Sequence, residues 1–185
     1  MKKVPNLRDL YNLIKEETES KYTIFCDLDG VLVDFDKGYK DLTGVTTKHA
    51  DAQGKEVFWD TFRQGLEDKD ISEYEYWKDL SWMPDGKELW SFIKSYDPYI
   101  LSAPTRDPES KTGKKAWVSD NLGKVKGLIL VYAYKKPEYS GKNRILIDDR
   151  AQTIKEWISK GGIGIEHTSA SDTIEKLETL FKKTK

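Results

Sequence analysis

An apolar segment near the N-terminus ends in two aspartates that are separated by one residue. The segment FCDLDGVLVDFD, residues 25–36, places Asp27 and Asp29 after an apolar run, follows them with Gly30 and then resumes its apolar character. Charge normally ends a buried strand, and glycine allows the chain to turn sharply away from it. This arrangement predicts two carboxylates that are held at the end of a strand.

Reactive side chains also end or follow other apolar runs. Ser102 ends YILS, Asp148 and Asp149 follow RILI, and Lys135 and Lys136 come shortly after GLILVY. Because clustered carboxylates disfavour one another's ionisation, a divalent cation would stabilise them, and oxygen ligands select a hard ion such as Mg²⁺. Lysine and serine suit a phosphate group, and a further carboxylate suits nucleophilic attack. Together these residue types predict a phosphate-transfer site.

The apolar runs alternate with helical patterns, which predicts an α/β fold. Five runs have the length and composition of buried strands: 22–26, 99–102, 127–132, 144–147 and 162–166. Helical patterns accompany them at 84–96, 108–122, 151–160 and near the C-terminus. This alternation is typical of a five-stranded parallel sheet flanked by helices, in which ligands bind outside the carboxyl ends of the strands. We therefore expect the strand-end side chains to meet at one edge.

Residues 35–83 interrupt the alternation. They contain helical patterns and many aromatic side chains but no clear strand, which predicts a small helical cap inserted after strand one. The alternative is an ordinary helical part of a single core. Apolar side chains at helical spacing predict an N-terminal helix within 1–20, which leaves 21–34 and 84–185 as the core.

Composition and charge narrow the class of protein. The 185 residues suit one domain with a small insert, and 12% aromatic residues are too many for a disordered chain. A formal net charge of −1 argues against stable nucleic-acid binding. No stretch reaches the about 20 apolar residues of a membrane span, and no secretory signal is recognised. The single cysteine, Cys26, is predicted to be buried in strand one, and a cytoplasmic location fits best.

The motifs resemble those of the haloacid dehalogenase superfamily, whose core is Rossmann-like. DLDGVLVD resembles its first motif, DxDGxxxD, and ILSAPT resembles its second, an apolar strand that ends in serine or threonine. ILIDDR resembles its fourth motif, an apolar strand that ends in paired acids. The order and separation fit across about residues 22–166.

A closer resemblance is to the 5'(3')-deoxyribonucleotidases of that superfamily. It extends to VFWDTF and YWKDLSWMPDGKELW in the predicted cap and to KKAWVSDNLG after the second motif. The resemblance implies an Mg²⁺-dependent enzyme that removes phosphate from nucleoside monophosphates through an aspartyl-phosphate intermediate. It implies a small-molecule nucleotide as the partner, with a homodimer as one option for assembly.

The resemblance assigns roles to individual residues. Asp27 corresponds to the nucleophile and also binds the metal. Asp29 corresponds to the general acid and base, and its backbone carbonyl binds the metal. Ser102 takes the role of the hydroxyl that binds phosphate. Asp149 corresponds to the acid that binds the metal, and Asp148 acts directly or through water.

The third motif requires only a lysine. Lys136 is the preferred candidate because it follows strand three by a few residues, and Lys135 and Lys142 remain alternatives. Aromatic residues match positions that border the nucleoside pocket: Phe35, Phe58, Trp59 and Trp77. One departure from the family is Ala103, which stands where the family commonly has a second hydroxyl residue. It removes one hydrogen bond to phosphate or sugar, so the exact substrate is not determined.

Other functions also fit this fold. A dehalogenase needs no acid at the position of Asp29, so that residue argues against dehalogenation. A phosphatase of another small ester, or of a polynucleotide end, is the first alternative. A non-catalytic binding protein is the second, although such a protein need not keep the acids, the serine and a lysine together. The sequence does not indicate which base is preferred. It also does not indicate whether the sugar is ribose or deoxyribose, or whether the phosphate is at the 5' or the 3' position.

Overall fold

The structure, a computed structural model, describes residues 22–182, so the helix predicted within 1–20 lies outside the described residues. Within 22–182, five strands form one parallel sheet in the order β3-β2-β1-β4-β5. The strands are Thr23–Cys26 (β1), Tyr99–Ser102 (β2), Gly127–Leu130 (β3), Arg144–Asp148 (β4) and Ile163–Glu166 (β5). The prediction of a five-stranded parallel sheet is confirmed.

Two apolar clusters cover the two faces of the sheet, because neighbouring residues of a strand point to opposite sides. Ile24 and Cys26 of β1 belong to the larger cluster. Phe25 lies between them in the chain and belongs to the smaller cluster, together with Leu146 and Trp157. Both faces of β1 are therefore buried, which explains why its sequence is a continuous apolar run. Cys26 is fully buried, as predicted.

Helices flank the sheet at the predicted places. They are Gly86–Ile93 (α5), Pro108–Asn121 (α6), Ala151–Ser159 (α7) and Ala170–Lys182 (α8). Local sequence sets the start of α6, where the Asp107 side chain accepts a hydrogen bond of 2.8 Å from the Glu109 backbone N–H. Pro108 follows in the first turn, where its missing N–H is tolerated. Short 3₁₀ helices lie at Lys94–Tyr96 and Ala133–Tyr139.

Four helices stand between β1 and α5. They are Phe35–Thr43 (α1), Thr47–Asp51 (α2), Lys55–Lys69 (α3) and Glu73–Lys78 (α4). Asp34 caps the start of α1 by accepting a hydrogen bond of 2.9 Å from the Lys37 backbone N–H. Most of the aromatic side chains of these helices belong to the same apolar cluster as Ile24 and Cys26 of β1. The segment is helical as predicted, and its boundaries as a separate cap stay a prediction.

The topology gathers the strand-end acids. β1 pairs in parallel with β4, so Cys26 lies beside Ile147, and the residues that follow reach the same edge. After β1 the chain turns at Gly30, whose φ of 74° is in the left-handed region. A Cβ at Gly30 would lie 2.3 Å from a carboxylate oxygen of Asp149, so only glycine allows the turn to pass this close. The turn therefore brings the first motif against the fourth.

Candidate active site

Asp27 lies at the centre of the cluster of reactive residues. It follows β1 directly, and its backbone N–H donates to the Ile147 carbonyl at 2.9 Å. Its Oδ1 accepts a hydrogen bond of 2.8 Å from the Leu28 backbone N–H. Its Oδ2 lies 2.7 Å from the amine of Lys136. The carboxylate is buried and held at both oxygens, which fixes its direction.

Lys136 links the acids of two strands. Its amine lies 2.7 Å from Asp27 Oδ2 and 2.7 Å from Asp148 Oδ2. Burial alone would lower the pKa of Lys136, but the two carboxylates raise it above the usual range, so the amine is charged. Lys135 and Lys142 are exposed. Of the three candidate lysines, the structure therefore brings Lys136 into the cluster.

Asp148 and Asp149 complete an acidic group around Asp27. One carboxylate oxygen from each of the three residues lies within 4.8 Å of the others. Burial raises the pKa of Asp148 to about 6, and the charge of Asp27 adds to the effect. Reduced hydration and the charges of Asp27 and Asp148 raise the pKa of Asp149 to about 7. Lys136 compensates only part of this negative charge.

A second lysine, which sequence analysis missed, lies beside Asp29. The amine of Lys114 lies 2.5 Å from Asp29 Oδ2 and 3.3 Å from Ser102 Oγ. Its side chain is almost completely buried. Lys114 precedes the buried Trp117 and Val118 by three and four residues on α6, so helical spacing already placed it on the buried face. That spacing was the signal that could have found it.

Asp29 differs from Asp27 in its surroundings. About a quarter of its side chain is exposed (26%), so it lies at the mouth of the site. Burial of its carboxyl raises the pKa of Asp29, and the ion pair with Lys114 opposes the rise. Its Oδ1 is buried and makes no hydrogen bond to any residue within 22–182. One oxygen of Asp29 therefore has no partner among these residues.

The four predicted aromatic residues form a continuous group on the helices that follow β1. Phe35 stacks on Trp77 with ring centroids 5.3 Å apart and on Phe58 at 6.3 Å, and Phe58 meets the edge of Trp59 at 4.9 Å. Phe35, Phe58 and Trp59 are half-buried. Trp77 is only 3% exposed, so it offers little surface to a ligand. Their contact with a nucleoside stays a prediction.

Solved structures share this fold. A hydrolase from Streptococcus pneumoniae TIGR4 is 13% identical, matches 85% of this chain and 99% of its own, and gives a TM-score of 0.53. L-2-haloacid dehalogenase from Xanthobacter autotrophicus is 12% identical, with 88% and 87% coverage and a TM-score of 0.51. Another dehalogenase is 13% identical, with 78% and 84% coverage and a TM-score of 0.51. The chain therefore has the fold of haloacid dehalogenase hydrolases.

Comparison of the sequence with known proteins identifies no relative. Neither the protein-family models nor the curated proteins give a match. Within residues 22–182, no helix is long and apolar enough to cross a membrane. The cytoplasmic location, the nucleotide partner and the homodimer stay predictions.

Proposed function

We propose that the protein is an Mg²⁺-dependent phosphatase that acts on nucleoside monophosphates, with 5'(3')-deoxyribonucleotides as the preferred class. The observation that carries this proposal is the position of Asp27. Its buried carboxylate belongs to the group of three acids and lies 2.7 Å from the amine of the buried Lys136. Two residues further on, Asp29 pairs with the amine of the buried Lys114. Such a site suits a dianionic phosphate and a carboxylate nucleophile.

Lys114 and Ser102 would bind the phosphate oxygens. The Lys114 amine and the Ser102 hydroxyl lie 3.3 Å apart, close enough to contact the same phosphate group. Lys114 is paired with Asp29 in the structure, and a phosphate dianion offers it a stronger partner. Moving the amine towards phosphate would release Asp29 Oδ2. Substrate binding would thereby prepare Asp29 for its role.

The acidic group fits a divalent cation. Four carboxylates (Asp27, Asp29, Asp148 and Asp149) face two amines (Lys114 and Lys136), which leaves two negative charges when all are ionised. The raised pKa values of Asp148 and Asp149 reflect this excess. Asp27, Asp148 and Asp149 supply oxygen ligands for a hard ion such as Mg²⁺. When bound, Mg²⁺ neutralises charge on the phosphate oxygens.

The side chains support a reaction in two steps. In the first, a carboxylate oxygen of Asp27 forms a bond to phosphorus as the bond from phosphorus to the ester oxygen breaks. Asp29 gives its proton to that leaving oxygen, and burial, which raises the pKa of Asp29, acts in the direction that this role requires. In the second step, Asp29 takes a proton from water, whose oxygen attacks phosphorus. The bond to Asp27 breaks, and inorganic phosphate leaves.

Dehalogenases share this fold, and two residues favour phosphate chemistry over theirs. Attack on a carbon–halogen bond releases a halide, which needs no proton, so Asp29 would have no leaving group to protonate. Lys114 is almost completely buried, and its charge would be costly to keep there without a function, because desolvating a charge is unfavourable. Both residues have a role in phosphate transfer. The site therefore favours a phosphatase.

The nucleoside part of the proposal rests on the aromatic group. Phe35, Phe58 and Trp59 lie in the segment that immediately follows the first motif, and each is half-buried. Rings of this kind can stack on a nucleobase. Small sugar phosphates would make little use of them. This supports a nucleotide as the substrate over a smaller phosphate ester.

The test separates reaction type from substrate. Purified protein should hydrolyse p-nitrophenyl phosphate with Mg²⁺ and lose that activity in excess EDTA, and the Asp27→Asn variant should be inactive. A panel of nucleoside monophosphates, ribo and deoxy with 5' or 3' phosphate, should then give a higher kcat/KM than sugar phosphates. Full activity in EDTA would contradict the mechanism. A preference for sugar phosphates would contradict only the nucleoside part of the proposal and would leave the phosphatase mechanism intact.

A further inference from the structure

Trp77 lies against the buried lysine of the site. The amine of Lys114 is 4.1 Å from the centroid of the Trp77 ring, within the range of a cation–π contact. The same ring stacks on Phe35, with 6° between the two planes. The indole is thus enclosed between the lysine and its aromatic neighbour. A nucleobase has little room to reach it.

Glu73 fixes the orientation of this indole. The Trp77 Nε1–H donates a hydrogen bond of 3.0 Å to Glu73 Oε1. The hydroxyl of Thr105 donates to the same oxygen. Thr105 follows Ser102 by three residues in the loop after β2, whereas Glu73 belongs to α4. One carboxylate oxygen therefore joins the helix that carries Trp77 to the loop that carries the phosphate-site serine.

The packing of α4 on α6 leaves little freedom at this contact. Gly113, the residue before Lys114, touches α4 so closely that an added Cβ would lie 2.6 Å from the Tyr74 carbonyl oxygen and 2.7 Å from Trp77 Cβ. Glu109 of α6 also accepts a hydrogen bond of 3.4 Å from the Tyr74 backbone N–H. The base of the lysine side chain and the ring under its amine are thus held in one relative position.

We propose that Trp77 and Glu73 are positioning residues that act through Lys114. The indole holds the ammonium group over its electron-rich face, and Glu73 holds the indole. The amine can then turn from Asp29 to a substrate phosphate while it stays over the ring. This inference rests on the proposed function. It differs from the role expected for Trp77 from the sequence, which was a contact with the nucleoside.

The two roles of Trp77 predict different kinetics. Trp77→Leu keeps an apolar side chain but removes the aromatic face and the indole N–H. We expect it to raise KM for p-nitrophenyl phosphate, and the inhibition constant of inorganic phosphate, by about tenfold, which lies between the effects of an exposed and a fully desolvated cation–π contact. KM for a nucleotide should rise by the same factor. An increase confined to nucleotides would overturn the inference and leave the phosphatase itself intact.

Three further variants test whether the effect passes through Lys114. In a Lys114→Met background, Trp77→Leu should cause no further change in KM, whereas a purely structural role predicts that the two losses multiply. Glu73→Gln retains an acceptor oxygen and should stay within about twofold of the wild type in KM, while Glu73→Ala should resemble Trp77→Leu. Multiplying losses, or equal effects of the two Glu73 variants, would refute the positioning role.

Trp157→Leu is the matched control. Trp157 is also fully buried, and its indole N–H also donates one hydrogen bond, of 3.1 Å, to the Arg144 carbonyl. It belongs to the apolar cluster on the other face of the sheet. The Trp157→Leu variant should lower the free energy of unfolding and leave KM unchanged. If Trp157→Leu raised KM as much as Trp77→Leu does, the effect would be general loosening, and the inference would fail. Trp77→Met, which also lacks an aromatic face and an N–H, replaces Trp77→Leu if the latter does not fold.

Discussion

Lys136→Met offers the most direct test of how the acidic group is held together. The amine of Lys136 lies 2.7 Å from carboxylate oxygens of both Asp27 and Asp148, and all three side chains are buried. Methionine keeps most of the length and the apolar stem of lysine but removes its charge. Two carboxylates would then share a buried site without a cation.

The expected loss of stability is large. Removing one partner of a buried ion pair costs about 3–5 kcal/mol, because the remaining charge is left uncompensated. A domain of this size has a free energy of unfolding of only about 5–15 kcal/mol. Lys135 is the neighbouring residue and is exposed, so Lys135→Met should change stability by less than about 0.5 kcal/mol. The same substitution at these two adjacent lysines should thus change the free energy of unfolding by very different amounts.

Urea unfolding at two pH values measures the effect and identifies its cause. Lys136 opposes the rise in the pKa of Asp148, so loss of the amine should raise that pKa further, and the variant should recover stability as Asp148 takes up a proton. The difference between Lys136→Met and the wild type should therefore be smaller at pH 5.5 than at pH 8. A loss below about 1 kcal/mol at pH 8, or one that does not depend on pH, would refute the electrostatic argument.

Other variants test the remaining assignments. Asp29→Asn should accumulate a phosphate adduct on Asp27, detected by rapid quench and mass spectrometry, because hydrolysis of the intermediate lacks its base; an adduct elsewhere would contradict the mechanism. Trp59→Ala should raise KM for nucleotides about tenfold or more and leave p-nitrophenyl phosphate less affected, since stacking contributes about 1–3 kcal/mol per base; equal losses would exclude a nucleoside contact. Asp149→Asn should weaken Mg²⁺ binding, measured by calorimetry, more than Asp148→Asn, whose carboxylate already pairs with a lysine; the reverse order would contradict the assignment. Without Mg²⁺, the free energy of unfolding should fall as pH rises from about 4 to 7, because folded Asp148 and Asp149, with pKa values of about 6 and about 7, bind more protons than the unfolded chain does. Added Mg²⁺ should reduce that fall, and a stability independent of pH would contradict the raised pKa values.

The strands and the acids at their ends could be predicted from local sequence. Each strand is a short apolar run between polar segments, and burial on both faces of a parallel sheet requires such runs. Parallel pairing places all carboxyl ends at one edge, so Asp27 and Asp148 were expected at the same edge, and the pairing of β1 with β4 makes them neighbours. The sharp turn after the first acid pair could also be predicted, because glycine allows such a turn. The structure shows a positive φ at Gly30.

The contacts of Lys114, Lys136 and Trp77 depended on tertiary structure. Lys135 and Lys136 are neighbours with the same chemistry, and only the 3₁₀ turn of Ala133–Tyr139 decides which of them points into the acidic group. Lys114 lies 85 residues from Asp29 in the chain, and the contact exists because the fold brings α6 beside the residues that follow β1. Trp77 matched a pocket position in sequence, but the close approach of α4 to α6 at Gly113 encloses its ring beside that lysine. Apolar periodicity reports which face of an element is buried, whereas the partner of a buried charge is set by how the elements pack.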